Sequence, residues 1–175
     1  MSPLRQPPPT AELSSFPAWR LDPAVPLFRI HQRHHDPIFC ASGRVGRFSL
    51  RRPRGTLYLA LNPAGALIEA LQDVLPPMPT ALLGRGEVDA RALSILHVTA
   101  PFTLADCTVA HAAAYGLTGE IHSSTRADHG RTRAWAAAFH RASFGGVRYF
   151  VRHDPSQSSI GIDFRRAETA AGAAI

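Results

Sequence analysis

The spacing of apolar and polar positions changes several times along this chain, and each change predicts an element. PLFRIHQ, residues 26–32, enters on Leu27 and Phe28 and predicts a first strand. RHHDPIFCASGRVG, residues 33–46, carries Asp-Pro and Gly signals and reads as loop. GTLYLAL, residues 55–61, is a continuous apolar run bounded by Gly55 and Asn62-Pro63, the pattern of a buried strand. Asn62 suits an N-cap and Pro63 a first helical turn. Ala66, Leu67, Ala70, Leu71 and Val74 then keep three-four spacing to about Leu75, where Pro76-Pro77 ends the predicted helix.

Further along, ALSILHVTA (92–100) predicts another strand, followed by PFTLADCTV. Residues 116–130 are polar and turn-rich. GRTRAWAAAFHRA (130–142) predicts an amphipathic helix with Trp135, Ala138 and Phe139 facing inward. GGVRYFVRHD (145–154) and SSIGIDF (158–164) predict two closing strands. Residues 1–15 are proline-rich without apolar period, which predicts a flexible or draped arm. Residues 16–165 form the expected domain, and 166–175 a tail reading as a frayed helix. Strands and helices mix without regular alternation. The expected class is α+β, a compact single domain with a mixed, mostly antiparallel sheet and packed helices.

Composition narrows the function classes. The chain has 175 residues, 45% hydrophobic and 18% charged, as in one globular domain. No apolar run reaches the ~18 residues of a membrane span, and MSPLRQPPPT lacks a signal-peptide core, so a cytoplasmic protein without a membrane partner is expected. Cys40 and Cys107 are widely separated and read as reduced, packed thiols. The net charge is +6, yet all 19 basic residues are arginine, beside abundant alanine, proline and glycine. That bias matches GC-rich coding, so high pI alone is weak evidence for a nucleic-acid partner.

Motifs remove more possibilities than they add. The nine histidines include His31, His34 and His35 in HQRHHD, but that run has no established ligand spacing. No His-Glu-x-x-His, Cys-x-x-Cys, Gly-x-Ser-x-Gly or phosphate-loop motif occurs, so neither a metal nor a prosthetic group is expected. What remains is GRVGRFSLRRPRGTLYLALNPAGALIEAL, residues 43–71, with five arginines before Tyr58 and Glu69. It reads either as a surface loop entering a core strand or as an anion-gripping site with a carboxylate opposite. Tyr58 is a half-buried core tyrosine or a site residue, and Glu69 a solvated helix face or a functional acid. Arg51, Arg52 and Arg54 flank Pro53 and read as a solvated turn.

FRIH, GRFS, GTLYLA and the following Glu69, then TRAWA and GVRYFVRHDPS, occur in an order that resembles the RES-domain family across residues 19–164. The resemblance implies an ADP-ribosyltransferase-like fold and chemistry on NAD as substrate. It also implies a toxin neutralised by an Xre-type antitoxin. Cleavage of the nicotinamide–ribose bond would be hydrolysis, or phosphorolysis with inorganic phosphate as partner; ADP-ribosyl transfer to a protein is the alternative within the family. By the same match Arg29, Arg47, Tyr58 and Glu69 fall on active-site positions, with His31 and Phe48 as second-rank lining. Val151 stands where the family carries a serine, and Ser123, Ser124 and Ser156 are candidates for a nearby hydroxyl.

The residue types suit that chemistry. A carboxylate stabilises the positive charge that builds on ribose as neutral nicotinamide leaves, the role this reading gives Glu69. Arg47 and Arg29 would clamp the diphosphate, and Tyr58 would orient the nicotinamide ribose. A different class, a non-catalytic RNA-binding or interaction module built on RRPR, would need stacking aromatics interleaved with the arginines; Phe48 and Tyr58 are nearly the only ones.

Overall fold

The computed structural model describes residues 3–43, 46–71 and 84–165. Seven strands form one sheet: β1 Ala18–Leu21, β2 Leu27–Gln32, β3 Arg54–Ala60, β4 Arg91–Leu96, β5 Phe102–Asp106, β6 Gly146–Val151 and β7 Asp154–Arg165. The helices are α1 Pro63–Leu71, α2 Arg85–Asp89, α3 Glu120–Ser123 and α4 His129–Arg141. Strand order is β1-β5-β6-β7-β3-β2-β4. Among the described strands only the β5–β6 pair is parallel; the connection between them carries α3 and α4 over one face. The class is α+β with a mixed, mostly antiparallel sheet, as the irregular alternation of elements predicts.

Each sheet face has its own apolar cluster. Partner pairs Tyr58↔Gly161↔Val147 and Ala60↔Ser159↔Tyr149 put these side chains on one face. There Val147 and Tyr149 pack with Phe48, Trp135 and Phe139. The alternate residues Leu57, Leu59, Ile160 and Ile162 point the other way and join Leu27, Leu104 and Phe164. Two buried faces explain why GTLYLAL is apolar throughout rather than alternating.

Most predicted elements appear, with boundaries moved by pairing. Asn62 Oδ1 accepts from the Gly65 amide at 2.7 Å, the expected cap of α1. The expected continuation of that helix to Leu75 lies outside the described residues, as does the 166–175 tail. The strand expected over 92–100 ends at Leu96, where pairing with β2 ends at Leu27↔Leu96. PFTLADCTV contains β5. The polar segment 116–130 folds into α3 and a short 3-10 turn, Arg126–Asp128. AWRL, too short for a sequence signal, becomes β1 by pairing with β5.

The proline-rich arm lies against α4 from residue 3 onward. Leu4, Leu13 and Phe16 are buried in the α4-side core, Leu13 within a 3-10 turn, Thr10–Ser15. Trp135 Nε1 donates to the Arg5 carbonyl at 2.9 Å, and Arg131 donates to that of Leu4 at 3.1 Å. Prolines stiffen the segment while three spaced apolar residues anchor it, an arrangement that needs no helical or strand period. Cys40 and Cys107 are both buried. No described helix is long and apolar enough to cross a membrane.

Candidate active site

The α4-side face opens beside α1 into a cleft of about 270 Å³. Phe28 and Ile30 of β2 and Ala66 and Glu69 of α1 form one side. Tyr58 of β3, Tyr149 of β6 and Ser159 of β7 form its floor. Gly46 and Arg47 close one end, with Ser124, His129 and Arg152 also on the wall.

Arg47 dominates the electrostatics. It is 8% exposed, and its Nε and Nη1 are buried without a hydrogen-bond partner. The guanidinium lies 5.5 Å from the Tyr149 ring centre and 6.0 Å from that of Phe48, so aromatic faces supply part of its stabilisation. Cation–π contact does not replace hydrogen bonds lost on leaving water, and a buried cation with open donors is costly unless an anion meets it. That cost points to a ligand.

The loop carrying Arg47 has no regular structure, yet residues 47–50 are buried. Side-chain hydroxyls satisfy its backbone. Thr132 of α4 donates to the Arg47 carbonyl at 2.6 Å. The Phe48 amide donates to the Tyr58 hydroxyl at 2.8 Å, and Ser49 Oγ lies 3.2 Å from the same oxygen. Thr56 accepts from the Leu50 amide at 3.3 Å and lies 3.1 Å from the Phe48 carbonyl. Gly46 is required by space: a Cβ there would sit 2.4 Å from both Ser49 Oγ and Tyr58 Oη.

Tyr58 therefore lines the cleft while its hydroxyl accepts from the loop. Burial pushes its pKa well up, with Ser49 and Phe48 pulling partly back, so it is a neutral phenol. Tyr149 is also raised, first by burial and then by the Glu69 charge. That effect puts the Glu69 carboxylate within electrostatic reach of the ring against which Arg47 lies. His122 beside the cleft is lowered to about 4, by burial and then by Arg47. Its Nδ1 accepts from the Phe150 amide at 3.2 Å, which makes it a neutral structural pin.

Arg47, Tyr58 and Glu69 thus meet in one cleft. Arg29 borders it, but strand alternation sets Phe28 and Ile30 on the cleft face and Arg29 on the opposite one. Its guanidinium donates to the Phe39 carbonyl at 3.0 Å, and burial lowers its pKa. His31 does not line the cleft: its ring bridges the Gln32 carbonyl and Ser94 Oγ, both at 2.9 Å. Phe48 is fully buried core, contributing an amide bond and a ring against Tyr149 at 4.8 Å. Val151 is buried in β6, outside the lining.

Among the described residues two serines line the cleft. Ser124 is 7% exposed with its Oγ buried and unpartnered, and Ser159 lies beside Tyr149. Ser123 instead donates to the Gly119 carbonyl and Ser156 to the Asp154 carboxylate, both away from the cleft. Sequence reasoning passed over Tyr149, His129, Arg152 and Ser159. The available signal was alternation in GVRYFV, which puts Val147, Tyr149 and Val151 on one face. Among the described residues no three His, Cys, Asp or Glu side chains could hold a metal ion. In HQRHHD the His34 and His35 rings meet at 4.3 Å.

Comparison with known proteins agrees with this architecture. No curated protein matches the chain. A chain of the crystal structure of the M. tuberculosis MbcT–MbcA toxin–antitoxin complex superposes with a TM-score of 0.61 at 17% identity, covering 88% of this chain and 79% of that one. At that identity the likeness establishes the fold. The family model described as RES domain matches residues 26–175, most of the sequence and every strand but β1. This chain belongs to the RES-domain family.

Proposed function

We propose that this protein is an NAD-consuming toxin that cleaves the nicotinamide–ribose bond, by hydrolysis or phosphorolysis, and is restrained by an Xre-type antitoxin. Arg47 carries the reading: a buried guanidinium with two open donors, in the same cleft as a carboxylate. An anion is needed at one end and a developing cation at the other, and NAD supplies both. The diphosphate would take the Arg47 donors. Glu69 would face the ribose as the C1′–N bond breaks and its electron pair leaves with neutral nicotinamide. A water or phosphate oxygen then bonds to C1′, and water gives up its proton.

Family membership and the toxin–antitoxin source of the structural neighbour support the toxin part of this reading. A cleft of about 270 Å³ lies just below the ~300–1,000 Å³ usual for sites that enclose a whole ligand. It suits the reacting end of a dinucleotide whose adenosine end extends outward. The test is incubation of purified protein with NAD, with and without phosphate, followed by product identification. ADP-ribose marks hydrolysis, ADP-ribose 1″-phosphate marks phosphorolysis, and a mass increment on protein marks transfer. Intact NAD in every arm sinks the proposal.

A further inference from the structure

We infer that Thr132 and Thr56 are positioning residues that hold Arg47 for its anion, acting from opposite sides through the backbone of residues 47–50. Neither side chain reaches the cleft, and both residues are 0% exposed. A threonine inside a helix commonly donates to the carbonyl three or four residues back. Thr132 has that option in the His129 carbonyl at 3.2 Å, but the Arg47 carbonyl is much closer at 2.6 Å. One proton cannot serve both fully, so the shorter bond to the loop takes it.

Thr56 sits on the other side of the loop, in β3. Its hydroxyl meets both the Leu50 amide and the Phe48 carbonyl, and Asp163 Oδ1 lies behind it at 3.2 Å. Among the described residues, and apart from those to Tyr58, the other bonds of residues 46–50 are local: Ser49 N to Gly46 O at 3.4 Å, Gly43 N to Leu50 O at 3.1 Å and Gly46 N to Ser49 Oγ at 3.1 Å. Weak local bonds do not hold a charged side chain away from water, and the two threonines together with Tyr58 supply what they lack. Arg47 is thereby fixed before any ligand arrives, and a bound anion meets donors already ordered.

The kinetic part of the test rests on the proposed NAD chemistry, so it is paired with a readout that does not. The Arg47 Nε–H proton, assigned by its loss in Arg47→Lys, reports the guanidinium's surroundings by NMR. Thr132→Val keeps shape and removes the hydroxyl. It is expected to shift that resonance, speed its solvent exchange at least tenfold, and raise KM for NAD about tenfold with kcat within about threefold. Thr132→Ser, which returns the hydroxyl, is expected to restore both readouts. Should Thr132→Val not fold, Thr56→Val is expected to move both in the same direction. An unmoved resonance and KM in a folded valine variant overturn the inference. So does a serine variant that behaves like valine, because packing alone would then account for the effect. If wild-type protein leaves NAD intact, the proposed function fails while the resonance still decides this inference.

Discussion

Arg47 and the group Arg51, Arg52 and Arg54 are neighbours in sequence and opposites in environment. Arg47 is buried with unpaired donors, whereas Arg51 and Arg52 are exposed and Arg54 is half-buried at the start of β3. Charge count treats them alike. Water screens the second group and lets each side chain rearrange, so no single one is worth much. Around Arg47, Tyr149 and Phe48 exclude water, and an anion reaching it would feel a poorly screened charge. The difference teaches that a cationic stretch becomes a site where the backbone is forced indoors. Here the forcing comes from hydroxyls on β3 and α4.

The sharpest way to break this comparison is at the acid that shares the cleft with Arg47. Glu69→Gln keeps size and removes charge, so turnover is expected to fall ~10²-fold or more while NAD affinity stays near wild type. Wild-type turnover in a folded Gln variant would rule out the role given to Glu69. Arg47→Ala comes next. A bidentate charged contact is worth ~2–3 kcal/mol, so NAD binding by calorimetry should weaken about 30- to 150-fold, with rate falling as well. Arg29 also borders the cleft, with one guanidinium bond to the Phe39 carbonyl, so unchanged NAD binding in Arg47→Ala would move the clamp role to it.

A smaller effect concerns the acid behind the loop. Burial raises the Asp163 pKa from 3.8 to about 8, with the Thr56 bond and Arg54 opposing that rise. The folded state therefore holds a proton that the unfolded chain gives up. The stability linked to that proton is fully present below pH 3.8 and is lost as pH rises through about 8. His140 Nδ1, 3.9 Å from the carboxylate, is the other titratable neighbour. Asp163→Asn is expected to flatten the melting temperature between about pH 4 and 8 and to raise it at pH 9. A variant whose melting curve tracks wild type across that window would refute the assignment. The smallest effect belongs to the exposed arginines. Replacing Arg51, Arg52 and Arg54 together by glutamine should leave NAD turnover within about threefold, and a collapse without unfolding would dissolve the contrast between the two groups.

Much of this arrangement was legible in the sequence, for local reasons. The α1 cap at Asn62, the buried character of GTLYLAL and the helix over TRAWAAAFH each follow from residues close together. Arg47, Tyr58 and Glu69 were legible through the family resemblance, and composition alone left each of them open. Arg29 was legible through the same resemblance and borders the cleft, but its bond to the Phe39 carbonyl, ten residues along, was not. Tyr149, Ser159 and Arg152 were not legible because register between distant strands brings them in: Tyr149↔Ser159↔Ala60 is a fact of pairing, not of local pattern. Ser124 and His129 depend on how the β5–β6 crossover lays α3 and α4 over the sheet. The arm was hard to read for the opposite reason, since Leu4, Leu13 and Phe16 anchor it at spacings that match no regular element.

The central position of β7 has a consequence for the order of events during synthesis. This strand, the last of the seven along the chain, lies between β6 and β3 and joins Tyr149's half of the sheet to Tyr58's. Until it inserts, those two strands have no common neighbour and the floor of the cleft does not exist. Pairings such as Thr56↔Asp163 and Tyr58↔Gly161 span over a hundred residues, so their loop-closure entropy is met late. A nascent chain still threaded through the ribosome at residue 150 carries Arg47, Tyr58 and Glu69 but no cleft to hold them. The complete cleft therefore comes into being only after β7 has emerged, as one of the last steps in closing the sheet.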